Sequence, residues 1–76
     1  MNSVHLVQMA NRIGQFFEAM PDHAEALDGI ANHIRKFWAP RMRVQLGEFI
    51  GQTEGEGLLP IVKEALVRHA EVLKAR

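Results

Sequence analysis

Asp22-His23-Ala24-Glu25-Ala26-Leu27-Asp28-Gly29-Ile30-Ala31-Asn32-His33-Ile34-Arg35-Lys36-Phe37-Trp38 is the stretch from which the fold of this 76-residue chain is read. Ala24, Leu27, Ile30, Ala31, Ile34, Phe37 and Trp38 recur at three- and four-residue spacing, which gathers them on one stripe of a helix. Asp22 stands three residues before Glu25, a capping-box spacing with Asp in place of Ser or Thr. Asp22, Glu25 and Asp28 come early and Arg35 and Lys36 late, an order that complements the helix dipole at both ends. The spacing predicts a helix over 23–38.

Working outward, Leu6, Met9, Ala10, Ile13, Phe16, Phe17 and Met20 repeat the same period and predict a helix over about 4–20, with Ser3 as its N-cap. Gly14 interrupts this helix at a cost of about 1 kcal/mol relative to Ala, which points to close approach by another helix. Pro21 ends the segment, because it lacks an N–H and disfavours helical geometry at Met20. On the other side, Pro40 suits the first turn of a third helix over 40–50, with Met42, Leu46, Phe49 and Ile50 as its stripe and Gly51 as its stop. Residues 51–57 contain three glycines and no apolar side chain, and read as a flexible surface loop. Pro60 opens a last helix over 59–75, with Leu59, Val62, Leu66, His69 and Leu73 inward and Lys74 and Arg76 at its C-terminal end. No period-two alternation marks a strand. The expectation is an all-α protein, one domain over 1–76, in which three to four helices joined by short turns form a small bundle.

A core of this size rarely leaves more than about 3–5 kcal/mol of net stability, and small proteins usually add disulfides, a metal or a partner. The absence of cysteine removes disulfides, thiolate zinc sites and cysteine-ligated iron–sulfur clusters. With 47% hydrophobic residues the chain is of ordinary globular composition. Nine Lys and Arg balance nine Asp and Glu, so net charge points neither to nucleic acid nor to an anionic membrane. No apolar run approaches the ~20 residues that cross a bilayer. Met1 to His5 lacks the basic start and apolar stretch of a signal peptide, so a cytoplasmic location is expected.

Chemistry is thinly provided for. Ser3 is the only serine and Thr53 the only threonine, one at the terminus and the other in the loop. The histidines His5, His23, His33 and His69 are never one turn apart, the spacing by which one helix supplies two metal ligands. Glu25 and Asp28 fit a solvated, dipole-favoured first turn better than an acid–base pair. No catalytic, metal-binding or cofactor-binding residue is expected, and the chain is not read as an enzyme by itself.

One segment does ask for a function. Residues 33–43 carry four of the nine basic side chains, the only Trp, and no acid. Formal charge runs −3 over residues 1–32, +4 over 33–43, −3 over 44–59 and +2 over 60–76, so the charges balance overall while being segregated locally. Arg and Trp are frequent anchors of protein interfaces. His33, Arg35, Lys36, Phe37, Trp38, Arg41, Met42 and Arg43 are therefore the candidate partner-binding residues. The competing readings are that Trp38 and Phe37 belong to the protein's own core with the bases solvated, or that the turn contacts nucleic acid weakly. No helix-turn-helix spacing or broad basic face accompanies the last of these. Phe16-Phe17 and Phe37-Trp38 are adjacent pairs, and neighbours on a helix differ by about 100°. One member of each pair must therefore sit at an edge or under another protein.

Leu6-Val7-Gln8-Met9-Ala10-Asn11-Arg12-Ile13-Gly14-Gln15-Phe16-Phe17 resembles the opening of the delta subunit of NAD-dependent, molybdenum-type formate dehydrogenases. So do Gly29-Ile30-Ala31-Asn32-His33-Ile34-Arg35-Lys36-Phe37-Trp38 and Pro40-Arg41-Met42-Arg43. Gly57-Leu58, Pro60-Ile61-Val62 and Ala65-Leu66 continue the likeness, which covers about residues 4–67. The resemblance implies an accessory polypeptide of a cytoplasmic, multi-subunit formate:NAD⁺ oxidoreductase whose larger subunits hold the molybdenum cofactor, iron–sulfur clusters and flavin. Its partners would be those larger subunits, the catalytic alpha subunit foremost, which it would stabilise or help to assemble and load with cofactor. A generic helical adaptor of another enzyme and a small nucleic-acid-binding module are the alternatives.

Overall fold

The computed structural model describes residues 2–74. Four α-helices follow one another: α1 (Ser3–Phe17), α2 (His23–Phe37), α3 (Pro40–Thr53) and α4 (Pro60–Arg68). A short 3-10 turn, Ala70–Leu73, closes the described chain. No strand occurs among the described residues.

The caps explain where the helices begin. Asp22 caps α2 as its spacing predicts, its Oδ1 accepting the Glu25 N–H at 3.0 Å. At α1 the cap is Asn2, not Ser3: Asn2 Oδ1 accepts the Val4 N–H at 2.7 Å, and Ser3 is already helical. Pro40 and Pro60 each stand in the first turn, where a missing N–H is harmless.

The ends differ more from expectation. Helix α1 stops at Phe17, not near Met20, and the Met20 N–H turns back to the Phe17 carbonyl ahead of Pro21. Helix α3 runs through Gly51 to Thr53, whose hydroxyl donates to the Phe49 carbonyl at 2.8 Å and accepts the Glu56 N–H at 3.2 Å. Glu54 then takes the left-handed conformation (φ 58°, ψ 30°), and its N–H closes on the Ile50 carbonyl. The segment 51–57, expected to be a flexible loop, is thus part helix and part tethered turn. Asn11 of α1 grips that turn, donating to the Gly57 carbonyl and accepting the Leu59 N–H, both at 2.9 Å. The grip seats Leu58 in the core.

The single last helix expected over 59–75 is two elements. It breaks at His69 (φ −117°, ψ 53°), and the 3-10 turn folds back so that Val72 becomes fully buried. Three side chains hold this strap. His69 Nε2 lies 2.7 Å from Asp28 Oδ1, Arg35 donates to Glu71 at 2.8 Å, and Arg43 donates to the Val72 carbonyl at 3.2 Å. A straight helix would leave Val72 without that burial. Residue 75, the expected end of that helix, lies outside the described residues.

The core is built from Leu6, Leu27, Ile30, Ile34, Leu46 and Leu66, with Val62 and Val72 completing it. Helix α2, the decisive stretch, lies against α1, α4 and the strap. The α1 stripe is rotated from the one read in the sequence: Leu6, Val7, Ala10 and Gly14 are buried, whereas Phe16 faces out. Gly14 sits at the contact with α4, where a Cβ would come within 2.5 Å of Val62 Cγ2. The described chain spans 32 × 25 × 17 Å, and each of its helices keeps an exposed outer face.

Candidate protein interface

The segment 33–43 closes α2, turns at Trp38-Ala39, and opens α3. The structure divides its candidate residues. Trp38, only 6% exposed, packs into the core. Arg43 is also buried, its Nη1 on the Val72 carbonyl and its Nε without a partner among the described residues. These two face inward, so contact with another protein is not open to them in this conformation. Arg35 is exposed but committed, bridging Asn32 (2.6 Å) and Glu71 (2.8 Å). Lys36, Phe37 and Arg41 are exposed, and His33 and Met42 half-buried.

Phe37 is 72% exposed, and its ring lies 4.7 Å from that of His33, one turn earlier. On α1, Phe16 is 73% exposed and meets Phe17 edge-on at 5.1 Å. Each adjacent aromatic pair is split as the 100° rule requires: Phe17 and Trp38 turn inward, Phe16 and Phe37 outward. Phe17 reaches α2 at Gly29, where a Cβ would occupy the space of its ring.

Arg12, Ile13, Phe16, Phe17 and His33 line an open, largely apolar groove of about 460 Å³ between α1 and α2. Of these only His33 belongs to the set read from the sequence. Arg12, Ile13 and Phe16 fall outside that set because a run of consecutive charge marks one segment, whereas the groove is assembled from two helices. The Phe16-Phe17 doublet and the Arg12/Phe16 four-residue spacing were the available signals.

Elsewhere the polar side chains serve the fold. His23 Nε2 lies 2.9 Å from Glu64 Oε1, so that pair and His69–Asp28 both tie α2 to the C-terminal part of the chain. Thr53 spends its hydroxyl on the end of α3. Among the described residues no three His, Asp or Glu side chains gather to hold a metal ion, and no helix is long and apolar enough to cross a membrane. This surface presents large apolar side chains on helices, edged by cations, a composition common at protein interfaces.

The family model of the NADH-dependent formate dehydrogenase delta subunit, FdsD, covers residues 5–66. No curated protein and no solved structure matches the chain.

Proposed function

Because the chain belongs to the NADH-dependent formate dehydrogenase delta subunit family, we propose that it is a non-catalytic accessory subunit of that enzyme. It binds the larger subunits, the catalytic alpha subunit foremost, in the cytoplasm, and it stabilises them or assists their assembly and cofactor loading. The family match over most of the chain carries this reading. The exposed Phe16 and Phe37 support it, because side chains of this kind anchor protein interfaces.

The exposed members of the 33–43 segment, Lys36, Phe37 and Arg41, are the part of that set available for docking, with His33 beside them. Binding of a partner to the folded form alone stabilises both proteins by mass action. That matters for a bundle of a size whose core rarely supplies more than about 3–5 kcal/mol.

The test is affinity capture of the tagged protein from cells making the formate dehydrogenase, followed by native mass analysis and an activity assay. Stoichiometric recovery in active enzyme identifies a permanent subunit. Recovery with cofactor-poor enzyme alone identifies an assembly factor, and recovery without any formate dehydrogenase subunit refutes the proposal.

A further inference from the structure

We propose that the groove between α1 and α2 receives an apolar side chain of a larger formate dehydrogenase subunit, presented by a segment that also carries carboxylates. This inference rests on the reading of the chain as an accessory subunit and names the chemistry of its contact.

The apolar part of the argument is the groove itself. Phe16, 73% exposed, lines the groove with Ile13 and Phe17, and Phe37, 72% exposed, extends the apolar surface from His33 on the α2 side. Nothing within the described chain covers them. A volume of about 460 Å³ admits one or two large side chains, and burying a Leu or Phe contributes about 1.5–3 kcal/mol. The seat is partly packed in place, since Phe17 is fitted over Gly29 and the His33 ring meets that of Phe37 at 4.7 Å with a 42° tilt.

The charged part decides between occupants. The groove's lining contains Arg12 and His33 and no acid. Lys36 follows His33 by one turn on the same side of α2. Among the described residues neither Arg12 nor Lys36 enters an ion pair, in contrast to Arg35, which Glu71 holds on the other flank. The acid of α2 that shares the groove side, Glu25, is eight residues from His33, about 12 Å along the helix. A second copy of this chain pairing through the same face would set one basic rim against another, so like charges would oppose that pairing. An acidic, apolar segment satisfies both halves of the surface.

The experiment uses the full chain and the purified larger subunits. Binding is measured for the unchanged protein, for Phe16→Ser/Phe37→Ser, for Arg12→Glu/Lys36→Glu, and for Val67→Ser as an exposed apolar control remote from the groove lining. A photo-crosslinking amino acid at position 16 locates the contact. Each double variant should weaken binding about tenfold or more with helical circular dichroism unchanged, while the control binds normally. The crosslink should fall on a segment of a larger subunit with Asp or Glu beside an apolar residue. Normal binding by the Phe16/Phe37 variant overturns the groove and leaves the subunit reading standing. Loss in that variant with normal binding by the Arg12/Lys36 variant overturns the acidic occupant, and a crosslink to a second copy overturns the partner. Failure of the unchanged protein to bind any larger subunit defeats the subunit reading itself.

Discussion

Gly14→Ala sets helix propensity directly against packing. On an open helix this change stabilises by about 1 kcal/mol. Here the new Cβ would lie 2.5 Å from Val62 Cγ2, whereas carbon atoms in contact prefer about 3.5–4.0 Å. Val62 is fully buried and its β-branched side chain has few rotamers, so α4 itself must shift. Overpacking of this kind destabilises by about 1–3 kcal/mol. With an overlap near 1 Å the upper part of that range applies, and the net loss is about 1–2 kcal/mol after the propensity gain. For a domain of this size that lowers Tm by roughly 5–15 °C, read by far-ultraviolet circular dichroism on the isolated chain. Val62→Ala alone loses about 2 kcal/mol by leaving a void. The double variant puts the methyl group introduced on α1 into that void, and should be no less stable than Val62→Ala. A raised Tm for Gly14→Ala, or single effects that add within about 0.5 kcal/mol, refutes the close contact between α1 and α4.

Three further outcomes are expected in the same assay. Asp22→Ala removes the cap from the Glu25 N–H and should lose about 1 kcal/mol, with hydrogen exchange quickening at the first turn of α2. Glu54→Gly relieves a left-handed non-glycine residue of about 1 kcal/mol of strain against a similar or smaller entropic loss, so Tm should hold or rise; a fall of several degrees contradicts the left-handed cap. Arg43→Ala strips a buried stem and orphans the Val72 carbonyl, for about 2–3 kcal/mol, whereas Arg41→Ala, on the surface two residues earlier, should leave Tm within about 3 °C.

Helix type and number were legible in the sequence, because periodic apolar residues and well-placed prolines are local signals. Pro40 and Pro60 fixed two starts to the residue or within one, and Asp22 announced its cap. What escaped was set by tertiary contact. Thr53 prolongs α3 past Gly51 through two side-chain hydrogen bonds that no composition rule weighs. The break at His69 gains the burial of Val72 and the anchors from Asp28, Arg35 and Arg43, each distant in sequence. The basic cluster was visible as a run, but its division was not. Charge alone does not reveal that Arg43 points at the strap while Lys36 points to solvent. The groove needed α1 and α2 side by side before Phe16 and His33 could be seen to share it.

The packing of the last elements against α2 also governs the order in which the protein can form. Residues 23–37 are synthesised before α4 and the strap, yet α2, which carries the buried Ile30 and Ile34, packs against both. A nascent chain that has passed Thr53 but not Val72 holds an unfinished core, with Arg43 lacking the carbonyl it binds. The core is therefore complete only once Val72 has been made, and until then its apolar residues are open to chaperones or to aggregation.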